Sequence, residues 1–215
     1  MRRFLPWVFC AACAGALRGA ETPAFAELSF AGLSPELQLA ARRVIVATGA
    51  RFDRAFGTDV GRRPISVRFA PLAKVASEGE DVAGATGRCR VRNGRAEILV
   101  AADAPEALGA ILAHEATHAF VAEAFGEIRD PYLGEGLAQE FAAQAWPPLR
   151  NELRHLWLKG GPGAAASPYI AGFHWIEEHA GEARFGEFVR TSGAAVSRNL
   201  EELERRWREF LKKKE

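Results

Sequence analysis

The hydrophobic rhythm of the chain is helical at first, then alternates, then returns to helical until the end. Leu37, Leu39, Ala40, Val44, Ile45 and Ala47 supply one apolar helix face. Just before them stands Ser34-Pro35, a hydroxyl that can cap free N–H groups and a residue whose fixed φ suits a first turn. The pattern predicts a helix from Pro35 to about Phe56, broken by Gly57 and Gly61. Ile65-Ser66-Val67-Arg68-Phe69 then alternates apolar and polar, as a half-buried strand does. Residues 71–83 carry neither period, and Ser77 to Asp81 reads as a loop. Thr86–Val91 and Ala96–Val100 flank Arg92-Asn93-Gly94-Arg95, and Asn-Gly between two such runs predicts a hairpin.

From Asp103 or Ala104-Pro105 the helical period returns, carried by Leu108, Ile111, Leu112, Phe120 and Val121 and ended by Gly126. A second helix starts near Tyr132 or Gly134 and runs to Trp146, where Pro147-Pro148 stops it. Leu149–Lys159 reads as a short helix, Gly160–Ala166 as a Gly/Ala-rich linker, and 168–179, 182–192 and 199–213 as helices. Asn199 with Glu202 makes a capping-box-like start for the last of these, whose buried stripe is Leu200, Leu203, Trp207, Phe210 and Leu211. Strands gathered in the first half and helices in the second define an α+β chain. We divide it into 27–146 and a helical part, 147–215.

The first residues break this reading and belong to a different one. Arg2 and Arg3 precede a mostly apolar run from Phe4 to Leu17, too short to span a bilayer comfortably. This is the pattern of an export signal, with cleavage expected after Ala26, or alternatively after Ala16, and it implies a secreted or periplasmic protein with no stable membrane span. A lipid anchor at Cys13 is disfavoured because Cys10, not an aliphatic residue, stands three positions before it. Cleavage after Ala26 shifts the formal charge from +1 to about −1 and leaves Cys89 as the only cysteine, so an intrachain disulfide is excluded. Cys89 reads as a small buried hydrophobe within a strand. Lys212-Lys213-Lys214 is the only basic cluster in the linear sequence, and it suits a helix C-terminus better than nucleic acid.

The candidate chemistry lies at His114-Glu115-Ala116-Thr117-His118. On a helix, residues four apart share a face, so both imidazoles can reach one metal ion while Glu115, at the edge of that face, meets water instead. The flanks Ala110-Ile111-Leu112-Ala113 and Ala119-Phe120-Val121 are those of a buried helix. Burying two imidazoles and a carboxylate is costly unless something satisfies them, and a divalent metal does. Catalytic zinc takes three protein ligands and keeps one position open. Residues 119–131 contain no histidine, whereas Glu135 and Glu140 both lie on the next helix.

Ile111–His118, followed by Tyr132-Leu133-Gly134-Glu135-Gly136-Leu137-Ala138, resembles the gluzincin metallopeptidases, the small peptidase-MA-like members in particular. The resemblance implies a zincin-like fold: a small mixed sheet with an edge hairpin, an active-site helix and a mainly helical C-terminal part. It implies one Zn²⁺ held by His114, His118 and Glu135, with Glu140 outside the ligand set. Glu115 would be the general base, and Tyr169 or His174 would stabilise the oxyanion. The substrate would be a peptide or protein, presented by the hairpin at Gly84–Val100 through added-strand pairing. The aminopeptidase branch carries Gly-x-Met-Glu-Asn at this place, but this chain reads Gly84-Ala85-Thr86-Gly87-Arg88 and lacks that acid. His155 and His179 read as solvated surface residues. The alternative to a peptidase is a catalytically silent, peptidase-like binding or scaffold domain that retains the metal.

Overall fold

A computed structural model describes residues 28–32, 34–61, 63–77, 86–102 and 107–213. The export signal, the start of the hairpin at Gly84 and the helix start at Asp103–Pro105 lie outside them. The fold is α+β, mostly helical, around one mixed four-stranded sheet of order β1-β2-β4-β3. β1 (Leu28–Ala31) runs parallel to β2 (Ile65–Ala70), β2 runs parallel to β4 (Arg95–Ala101), and β3 (Gly87–Arg92) pairs antiparallel with β4. The hairpin forms where Asn-Gly predicts it, with Asn93 at φ +50° and Gly94 at φ +74°, the positive angles its tight turn requires.

α1 (Pro35–Phe56) crosses from β1 to β2, capped by Ser34, whose Oγ accepts from Leu37 N at 3.4 Å, and closed by Gly57 in the left-handed conformation. Period-two alternation sorts the sheet residues between two faces. Ile65, Val67, Ala96, Ile98 and Val100 enter the main core with α1 and α3 (Leu108–Ala124). Ala70, Leu99 and Ala101 form a smaller cluster on the other face with Val75 of α2 (Leu72–Ser77). β1 and α2 are absent from the sequence reading because four and six residues are too few to set up a period.

α4 (Pro131–Ala145), α5 (Pro147–Lys159), α6 (Gly161–Ala166), α7 (Pro168–His179), α8 (Phe185–Ser192) and α9 (Leu200–Lys212) complete the described residues. The expected linker at Gly160–Ala166 is instead the short helix α6: its alanines favour helix once Gly161, at φ +52°, has turned the chain. The helix expected from 182 begins at Phe185, after a turn. α3 is buried on most sides, from Ala110 to Val121, because the sheet, α1 and α4 all pack against it. α4 and α7 cross at Gly136 and Gly172: a Cβ on Gly172 would lie 2.2 Å from Tyr132 O. No helix among the described residues is long and apolar enough to cross a membrane.

Candidate metal centre

α3 places His114 and His118 one turn apart on the side that faces α4, with their Nε2 atoms 3.2 Å apart. α4 answers with Glu135, whose Oε2 lies 3.2 Å from His114 Nε2 and 3.7 Å from His118 Nε2. These three side chains can hold a metal ion between them. Glu135 Oε2 is buried without a hydrogen bond, an arrangement that is costly unless a cation meets it. Burial alone would push the Glu135 carboxyl up, but the two imidazoles more than reverse this and hold it well below the usual carboxylate range. His118 moves the opposite way: burial lowers it, but Glu135 and then Glu115 raise it by more, to a net increase.

Glu115 is only 6% exposed, although it is a carboxylate on a largely apolar helix. Burial pushes its carboxyl up and the Glu135 charge adds to this, while the two histidines and Arg88 pull it down; the net shift is upward. Its side chain reaches the edge strand. A Cβ on Gly87 would fall 2.6 Å from Glu115 Oε1 and 2.7 Å from Ile111 Cγ2, so only glycine lets β3 come this close. Next to it on β3, Cys89 is half-buried against the core, and burial together with the Glu115 charge drives its thiol far above the ordinary range.

The other sequence candidates separate. Tyr169, at the start of α7, stacks its ring 6.2 Å from that of His114 at an interplanar angle of 23°. Burial, then Glu135 and Glu115, push its phenol up to about 12. His174 lies five residues further along α7, about 140° around the helix. Its ring packs 4.3 Å from Trp157 and its Nε2 lies 3.2 Å from Glu178. Glu140 likewise turns away from the triad to bond Gln144 Nε2 at 2.9 Å and Arg150 Nη2 at 2.7 Å. His155 is exposed as expected. His179 is not a solvated residue: it stacks 4.4 Å from Trp175, and its ring nitrogens face two acceptors, Nδ1 at 2.9 Å from Trp175 O and Nε2 at 3.3 Å from Glu204 Oε2.

Asp130, which the sequence reading passed over, fixes the N-terminus of the helix that carries Glu135. It is fully buried, and its Oδ1 accepts from Tyr132 N at 3.0 Å and Leu133 N at 3.1 Å. Its Oδ2 accepts from Ser197 N at 3.0 Å, from Ser197 Oγ and from Arg206 Nη1 of α9. Asp followed by Pro131 is itself a helix-start signal, and it could have located this cap. Neither Gly87 nor Gly172 carries a local signal, since what each allows is the approach of a distant element.

Comparison with protein families, with curated proteins and with solved structures finds no match.

Proposed function

We propose that this protein is an exported zinc-dependent peptidase of the gluzincin type, with a zincin-like arrangement of sheet, active-site helix and ligand helix. The observation that carries the reading is the convergence of His114 Nε2, His118 Nε2 and Glu135 Oε2, 3.2 to 3.7 Å apart, around a buried oxygen that no hydrogen bond satisfies. Ligand atoms about 2.0–2.1 Å from a tetrahedral ion lie roughly 3.3 Å from one another, so the residues fit zinc. Two neutral imidazoles and one carboxylate are also the donor set zinc accepts in sites that keep a position open.

Bound zinc would supply Lewis acidity at the scissile carbonyl and would make water more acidic. The chain's own residues do the rest. Glu115, raised in pKa and pressed against the edge strand, takes a proton from the attacking water and returns it to the leaving amine. The Tyr169 hydroxyl, still protonated at neutral pH, is the donor for the developing oxyanion. β3 holds the peptide in extended form by main-chain pairing. The apolar run after Arg2-Arg3 supports export.

Glu115→Gln should retain one zinc per chain but cut hydrolysis of an unfolded protein substrate by about 10²–10⁴-fold. Glu135→Ala should lose the metal. Metal analysis after dialysis, paired with a cleavage assay, reads both. If Glu135→Ala held zinc as tightly as wild type, the ligand assignment would be wrong.

A further inference from the structure

The linear sequence shows one basic cluster, at its C-terminal lysines, but strand geometry builds another beside the metal centre. Along β3 the side chains alternate, and Gly87 and Cys89 turn toward α3 and the core. Arg88, Arg90 and Arg92 therefore share the opposite face. Their partners on β4 are Leu99, Glu97 and Arg95. Glu97 offsets part of the Arg90 charge, whereas Arg95 adds to that of Arg92. Arg68 of β2 also lies opposite Leu99, on the same face. The row is half-buried at Arg88 and exposed at Arg92.

β3 is also an edge: β4 lies on one side of it, and no strand among the described residues lies on the other. A peptide added there pairs best antiparallel. Residues directly opposite each other across two strands point to the same face, so every second side chain of the added strand meets an arginine. Gly87 marks the end of β3 that touches Glu115, and Arg92 marks the far end. An antiparallel peptide with its cleaved bond near Glu115 therefore lays the residues on the amino side of that bond along Arg88, Arg90 and Arg92.

From this geometry we infer the substrate class: peptides with acidic side chains at alternating positions on the amino side of the cleaved bond. The inference rests on the peptidase reading for the place where the peptide lies, and on the arginine row for its charge.

The test uses short peptides of one sequence whose alternating amino-side positions are Glu, Gln or Lys. Two readouts are taken: kcat/KM on the zinc-loaded protein, with the cleaved bond located by mass spectrometry, and Kd on Glu115→Gln by fluorescence anisotropy. The Glu peptide is expected to exceed the Lys peptide by about tenfold in both, from two opposite-charge pairs replaced by two like-charge pairs. Added salt should narrow the gap. The double variant Arg90→Gln, Arg92→Gln should bring the ratio toward one. Cleavage with no acidic preference on the amino side overturns the inference and leaves the peptidase reading standing. Acidic preference in Kd with no peptide cleaved overturns the peptidase reading, and the substrate inference with it, and leaves β3 as an edge that only binds acidic peptides. Displacement of the Glu peptide by a single-stranded oligonucleotide at lower concentration than by unlabelled peptide also overturns it, in favour of a general polyanion surface.

Discussion

Tyr169 and His174 look equivalent in the sequence, each a proton donor on the helix after Ser167, yet only Tyr169 faces His114. The separation is set by helical angle: with Tyr169 stacked on His114, a residue five positions on must point elsewhere, and His174 meets Trp157. The same spacing separates Glu135 from Glu140, and the second glutamate is held by Arg150 instead. If the phenol of Tyr169 donates to the oxyanion, its value comes from a transition-state contact, not from binding. Tyr169→Phe should lower kcat by about 10²-fold with little change in KM, and with zinc content unchanged. Steady-state kinetics with metal analysis decides it; a rise in KM alone would mean that Tyr169 only packs against substrate.

Among the elements, the crossing of α4 and α7 sets the depth of the site. Gly136 follows Glu135 directly, and Gly172 sits against it with Tyr132 O where a side chain would be. Gly172→Ala must force the two helices apart, which should cost about 1–3 kcal/mol of stability by overpacking. Because Glu135 and Tyr169 ride on these two helices, zinc affinity should weaken as well. Thermal melts of the metal-free protein and chelator competition report the two effects separately, and a stable variant with unchanged zinc affinity would contradict the account. This crossing also marks the limit of what could be read in the sequence. The main helices, β2 and the hairpin were legible because each is long enough, or has a specific enough turn, to carry its own period. His114, Glu115 and His118 were legible because one helix turn joins them. Glu135 came from a motif resemblance, since spacing alone left it level with Glu140. Gly87, Gly172, Asp130 and the arginine row were not read, because their meaning comes from elements distant in sequence or from which face of a strand a residue occupies.

At the scale of the molecule, the C-terminal helix α9 is tied to the rest by two polar residues, Glu204 and Arg206, as well as by the buried Leu203 and Trp207. One is Glu204, which accepts from Trp175 Nε1 at 2.9 Å and from Arg208 Nε at 2.7 Å. Burial would raise its carboxyl, but Trp175, Arg208 and His179 together hold it below its ordinary value of 4.5. A carboxyl lowered by folding lends stability above its unfolded pKa and loses it as the pH falls through the folded one. Glu204→Gln should therefore melt below wild type at pH 7, and the gap should close as the pH drops below about 4. Melting curves across that range test it; a gap that persists at low pH would assign the loss to packing.

The other tie is Arg206, which reaches Asp130 across 76 residues of chain to close the cap of α4, the helix that carries Glu135. A chain folded only as far as α8 already contains His114, His118 and Glu135. It still lacks the cation that neutralises Asp130, so α4 begins on a buried, uncompensated charge. If His114, His118 and Glu135 hold zinc as proposed, α9 is the latch on that site: Glu135 is set firmly in place only when Arg206, from the far end of the chain, has closed the cap at Asp130.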